Sequence, residues 1–174
     1  MRFTGVFWKL YDAVKERHPR YVSMPGGTRS GKTYSILQFL HLLVPQADKS
    51  GDVTSVVSET IPHLKRGAIR DFEDILRHPL KSDANWNATD FIYTYPNGAK
   101  LEFFSADTPS KCLGPARKRL FLNEANHIGW ETVRQLLVRT TGLVILDYNP
   151  AAVFWAMEKV EWRDNCVTIH STYK

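Results

Sequence analysis

Gly26-Gly27-Thr28-Arg29-Ser30-Gly31-Lys32-Thr33 decides how this chain is read. A glycine, four variable positions and then Gly-Lys-Thr is the pattern of a loop that cradles phosphate groups. The pattern carries weight only between a strand and a helix, and both flanks are present. Tyr21-Val22-Ser23-Met24 reads as a short buried strand, and the run from Tyr34 to Leu40 as a helix with an apolar face. Glycines at 26, 27 and 31 let the backbone take positive φ and approach an anion. Successive N–H groups, those of Thr28 and Ser30 included, then form a nest at the positive end of the following helix. Lys32 is placed to reach the β- and γ-phosphates, and Thr33 to put its hydroxyl on a Mg2+ that bridges phosphate oxygens. Arg29 is the unusual member of the loop. Its guanidinium either forks onto γ-phosphate oxygens as a catalytic group or fills a variable surface position. ATP and Mg2+ are the cofactors this stretch implies.

Composition sets the frame around that loop. With 174 residues, 43% apolar and 24% charged, the chain has enough material for one α/β domain with a substantial core. The net charge of +5 suits a polyanionic partner, but the charges are interspersed and ATP is itself an anion. Cys112 and Cys166 lie far apart without CxxC spacing, and the histidines form no ligand-spaced pair, so neither disulfides nor structural zinc are expected. A reducing cytoplasm suits such a chain. Phe3 to His18 mixes Lys9, Asp12, Lys15, Glu16 and Arg17 with apolar residues, the pattern of an amphipathic helix and not of a signal peptide. No apolar run is long enough to span a membrane.

Along the chain, periodicity predicts helix 4–18, strand 20–25, helix 31–44, strand 53–58, helix 61–77, a hairpin over 91–105, strand 119–123, helix 130–139, strand 142–147, helix 151–159 and strand 166–170. Strands alternate with helices. Val53 to Val57 and Leu143 to Leu146 are near-continuous apolar runs, as parallel strands covered on both faces require. The expected fold is therefore a three-layer α/β phosphate-loop NTPase of the additional-strand, catalytic-glutamate (ASCE) type. Its twisted sheet is mostly parallel, with helices on both faces and a local antiparallel hairpin turning at Pro96-Asn97-Gly98.

Two further strands end in polar residues where open α/β sheets place ligands. Arg119 to Leu122 leads to Asn123 and Glu124, in the manner of a Walker B strand. Glu124 is the expected general base for an attacking water. An aspartate is usual at position 123 to hold the Mg2+ shell. Asn123 accepts from a metal-bound water but brings no charge, unless the pair merely caps a helix. Val144 to Leu146 likewise leads to Asp147 and Asn149. Asn149 sits at a sensor position near the γ-phosphate, and Asp147 either serves the site or caps the helix expected from Ala151. For adenine, Trp8, Arg20 and Tyr21 lie upstream without a motif that chooses among them.

With these three elements quoted, the chain resembles the ATPase domain of phage terminase large subunits, in the branch that carries Leu120 to Ile128 and Leu146 to Pro150 in this form. The resemblance also takes in Ser58 to Gly67 and His170 to Lys174. It implies a motor that hydrolyses ATP to drive double-stranded DNA into a procapsid without regard to sequence. Portal protein and a small terminase subunit would be its partners, a homo-oligomeric ring its working form, and the cytoplasm of an infected bacterium its location. It also implies a single ATPase domain over 1–174, without the family's nuclease domain and so without DNA cleavage. Relatives present an arginine to the neighbouring subunit's nucleotide near a Gly-Pro pair. Here Leu113 precedes Gly114-Pro115, and Arg117 is the substitute unless it belongs to a solvated Arg117-Lys118-Arg119 run. Lys65, Arg66 and Arg70 either contact DNA phosphates or form a solvated helix face. Two other readings stay open: a helicase-like or remodelling ATPase, and a nucleotide-dependent switch in which Asn123 has abolished turnover.

Overall fold

Residues 2–27 and 30–171 are described by a computed structural model of the chain. In chain order the elements are α1 (Gly5–Arg17), β1 (Tyr21–Pro25), α2 (Lys32–Ala47), β2 (Val53–Ser58), α3 (Ile61–Leu64), a π-helical turn (Lys65–Ile69) and α4 (Arg70–Leu76). There follow β3 (Trp86–Asn87), β4 (Ile92–Thr94), β5 (Lys100–Ser105), α5 (Pro109–Cys112), β6 (Arg119–Leu122), α6 (Trp130–Val138), β7 (Val144–Tyr148), α7 (Trp155–Lys159) and β8 (Cys166–Thr168). Among the described residues the strands form one sheet in the order β3-β4-β5-β2-β6-β7-β1-β8. All neighbours run parallel except β3 with β4 and β4 with β5.

The apolar strands divide their side chains between two cores, as a strand's twofold alternation dictates. Val22, Met24, Val56, Phe103, Phe121 and Ile145 join one hydrophobic cluster with residues of α1, α2 and α4. Tyr21, Val57, Phe104, Leu120, Leu122, Val144 and Leu146 join the other, with Val133, Leu136 and Trp155 of α6 and α7. Helices therefore cover both faces, and the three-layer expectation holds. No helix among the described residues is long and apolar enough to cross a membrane.

The differences from the expected elements have local causes. The helix expected over 61–77 is α3 and α4 joined by the π turn, an insertion into the helical repeat that tends to occur where function bends a helix. Helix α2 runs past Pro45 to Ala47, because a proline in the last turn removes only one of the final hydrogen bonds. The helix expected from 151 starts at Trp155. Phe154 is extended, and its ring packs edge-on against Tyr148 at 4.7 Å before the helix begins. The short strand β3 has no counterpart in the expected order, and it widens the hairpin into a three-stranded antiparallel edge with β4 and β5.

Candidate active site

Strands β2, β6, β7 and β1 are consecutive in the sheet and all end on the same edge. The last paired residues of β6 and β7 are Leu122 and Leu146, so Asn123 and Asp147 follow side by side. On the outer side β2 pairs Val57 with Leu122, which brings Ser58 beside Asn123. On the inner side β1 pairs Met24 with Asp147. The sheet thus lines up a row of polar residues at the carboxyl ends of its strands, the place where doubly wound sheets bind ligands.

The phosphate loop leaves β1 at this edge. Gly26 must be glycine: a Cβ there would lie 2.0 Å from Ser171 Oγ and 2.4 Å from its carbonyl oxygen. Gly31 has φ of 73°, in the left-handed region that glycine takes without strain, and α2 begins at the next residue. Lys32 is 7% exposed, and its ammonium donates to the carbonyls of Gly26 and Gly27 at 2.8 and 2.9 Å and to Ser30 Oγ at 3.0 Å. Burial pulls the Lys32 ammonium below its ordinary range, with the carboxylates of Asp147 and Glu124 pulling the other way. Thr28 and Arg29 lie outside the described residues.

Thr33 donates its hydroxyl to Asp147 Oδ2 at 2.5 Å. Asp147 is 2% exposed, and Oδ1 accepts from the Glu124 backbone N–H at 2.7 Å and from Asn123 Nδ2 at 3.2 Å. Burial raises the Asp147 carboxyl, opposed by the hydrogen bonds from Thr33 and from the Glu124 backbone. Asn123 is 5% exposed. Its Nδ2 also reaches Thr33 Oγ1 at 3.2 Å, while its Oδ1 accepts from Ser58 Oγ at 2.9 Å. Asp147 therefore does not cap a helix after Pro150; it is the centre of a buried network. Glu124 turns the chain through φ of 53°, an uncommon left-handed conformation for a side-chain-bearing residue, and leaves its own side chain exposed in the cleft.

The cleft measures about 560 Å³ and brings together Ser30, Lys32, Thr33, Asn123, Glu124, Asp147 and Asn149, a size typical of ligand pockets. Its far wall is the turn after β2, with His63, Arg66, Gly67, Arg70 and Asp71. Of the three basic residues assigned to DNA by the sequence, two line this cleft. Lys65 instead holds its ammonium 5.3 Å from the centre of the Phe91 ring. Arg66 and Arg70 became part of the site because β2 neighbours β6, a strand order the sequence does not state.

Two sets of candidate residues lie away from the cleft. Arg117 is 2% exposed at the opposite edge of the sheet, where it bridges to Thr140. Its guanidinium donates to Ser55 Oγ at 2.9 Å and to the Leu136 carbonyl at 3.2 Å, and sits over the Phe104 ring. It is therefore not a solvated member of the Arg117-Lys118-Arg119 run, and its guanidinium faces the interior, away from the cleft. Arg20 and Tyr21 also belong to that opposite edge: Arg20 donates to the Thr140 carbonyl at 2.5 Å, and Tyr21 is the buried first residue of β1. Trp8 packs among Phe3, Phe7 and Tyr11 on α1. None of these three lines the cleft, whereas Tyr34 and Tyr148 do.

No family model matches the chain, and no curated protein matches it in sequence. Solved structures do match. The large terminase of a thermophilic bacteriophage, in complex with ATP-gamma-S, superposes with a TM-score of 0.79 at 17% identity, over 98% of this chain and 45% of that one. The HK97 bacteriophage large terminase gives 0.77 at 12% identity, over 100% of this chain and 40% of that one. The large terminase ATPase domain of Thermus phage P74-26 gives 0.66 at 14% identity, over 97% of this chain and 80% of that one. The chain thus spans less than half of the first two large terminases. At these identities the shared property is the fold, and the chain has the fold of the ATPase domain of phage large terminases.

Proposed function

We propose that the chain is an ATP-hydrolysing motor domain of a terminase large subunit, driving double-stranded DNA into a procapsid. The observation that carries this reading is the convergence of Lys32, Thr33, Asn123, Glu124 and Asp147 in one cleft ahead of the phosphate loop. Lys32, Arg66 and Arg70 give the cleft the positive charge a triphosphate needs. That the large terminase of the thermophilic bacteriophage was solved with ATP-gamma-S supports the same ligand here.

Each side chain then has a task. The loop N–H groups and Lys32 hold the β- and γ-phosphates. Glu124 takes a proton from the attacking water as its oxygen bonds to the γ-phosphorus. The bond from phosphorus to the bridging oxygen breaks, and its electron pair leaves with ADP. Asn149 stands at the cleft wall, where it is suited to report whether the γ-phosphate is present. The donor set also fits Mg2+: the Thr33 hydroxyl and the Asp147 carboxylate are hard oxygen donors at the phosphate end of the cleft, with the Asn123 amide beside them. When bound, the ion neutralises charge on the β- and γ-phosphate oxygens.

In this reading the domain works in a homo-oligomeric ring with a portal protein and a small terminase subunit, in the cytoplasm of an infected bacterium. It holds DNA through its backbone without regard to sequence. The arginine donated between subunits, if the ring uses one, comes from a residue other than Arg117.

Single-turnover hydrolysis with protein in excess over ATP tests the proposal. Wild type is expected to form ADP. Glu124→Gln should keep ATP bound and slow the step by roughly 10², the scale of a lost general base. A wild-type protein that binds ATP yet never forms ADP would instead be the nucleotide switch that Asn123 suggests.

A further inference from the structure

The charge missing at position 123 is present one strand away. Asp147 makes no salt bridge among the described residues, although a buried carboxylate is costly without a cation. Three donors hold it: the Thr33 hydroxyl, the Glu124 N–H and the Asn123 amide. Lys32, whose charge acts on it, spends its hydrogen bonds on Gly26, Gly27 and Ser30. The side chain nonetheless lines the cleft beside Thr33. A carboxylate so placed is complete only when a ligand delivers positive charge to it.

The strand order explains the location. β7 lies between β6 and β1, so a residue at the end of β7 is nearer to the phosphate loop than its counterpart on β6. The threonine hydroxyl of the loop accordingly donates to Asp147, at 2.5 Å, and not to position 123. Asn123 fits a supporting task. Its oxygen is held by Ser58, which turns its NH2 group towards the Asp147 carboxylate and fixes that carboxylate's orientation. An aspartate at 123 would set two carboxylates in contact; the amide removes that repulsion.

We infer that Asp147 is the acidic group of the divalent-metal site, with Asn123 as the residue that positions it, so that the acid has moved from β6 to β7. This rests on the nucleotide-binding reading above. Mg2+ accepts such a site readily, since it takes one or two carboxylates alongside substrate phosphates and water.

The test is the binding of Mn2+, a paramagnetic substitute for Mg2+, to the chain saturated with ATP-gamma-S, followed by electron paramagnetic resonance. Wild type is expected to hold the ion. Asp147→Asn should weaken Mn2+ by tenfold or more, about the loss seen when a metal ligand's own support is removed, while ATP-gamma-S still binds in EDTA. The exchanged pair N123D/D147N keeps one carboxylate and one amide in contact and should recover most of the affinity. It also decides the matter if Asp147→Asn alone does not fold. Unchanged Mn2+ affinity in a folded Asp147→Asn protein would overturn the inference, as would a folded exchange variant that binds the nucleotide but no Mn2+. Failure of wild type to bind ATP-gamma-S at all would contradict the nucleotide-binding reading instead.

Discussion

Asn123 has two faces that answer to different partners. Its oxygen takes the Ser58 hydroxyl and its NH2 group gives to Asp147 and Thr33, so the amide is fully used in a place where a carboxylate would have one charge too many. Asn123→Asp is therefore expected to lower stability in EDTA by on the order of 1–3 kcal/mol, with much of the loss recovered by Mg2+ and nucleotide. Thermal melts with and without EDTA check this; a melting temperature indifferent to the metal would contradict it. Arg117 poses the opposite case. Its three acceptors are Ser55, Leu136 and, at 3.4 Å, the Lys111 carbonyl, and Ser55 in turn donates to Glu102 at 2.5 Å. Removing the guanidinium strands these groups in the interior. Arg117→Ala should cost roughly 2–4 kcal/mol in chemical denaturation and leave the rate of hydrolysis per folded molecule unchanged.

At the scale of elements, the turn from α3 through the π segment to α4 is what closes the cleft. A continuous α-helix over 61–77 follows from the apolar spacing of Leu64, Ala68 and Phe72, all of which are buried. The extra residue of the π turn leaves that spacing of four intact, and so it leaves no mark on the pattern. Its result is that Arg66 and Arg70 both line the cleft. Arg66→Ala and Arg70→Ala are each expected to weaken ATP-gamma-S several-fold more than ADP, with the difference shrinking as salt rises. Calorimetric titrations of the two nucleotides at low and high salt read this directly. Behind the turn, His41 of α2 packs edge-on against Phe72 of α4 at 5.7 Å, and its Nδ1 shares a hydrogen bond with the Tyr95 hydroxyl at 3.0 Å. Burial pulls the His41 imidazole below its ordinary 6.5. As pH falls, the unfolded chain takes up this proton before the folded one, so the contribution is whole above 6.5 and is lost between 6.5 and the lower folded value. His41 should thus titrate below 6.5 by NMR, and His41→Phe should flatten the decline in stability over that window.

For the whole molecule, what the sequence declares is the chemistry at the strand ends. The phosphate loop, Asn123-Glu124 and Asp147 to Asn149 each follow an apolar run, and parallel strands put the ends of such runs on one edge. The order of the strands is not written in any one of them. It took the order to reveal that Asp147 stands between Asn123 and the loop, and that the basic turn after β2 faces the same cleft. The Arg117-Lys118-Arg119 run reads as solvent-facing for the same reason, since its partners are distant in sequence. Lys118 pairs with Asp48 and Asp52, Arg119 with Asp48, and Arg117 turns inward to Ser55. Charge repeated along a chain looks like surface until the acids that meet it are located.

Motor, switch and metal site alike require that the loop from Gly26 to Thr33 hold a triphosphate through Lys32. Isothermal titration of the chain with ATP-gamma-S and Mg2+, against the same titration of Lys32→Ala, measures this. Wild type should bind saturably and one to one. The variant should keep its fold and lose nearly all affinity, because the phosphates lose the cation at the heart of the loop. Equal binding by the two proteins, or none by wild type, would contradict the phosphate-loop assignment and everything built on it.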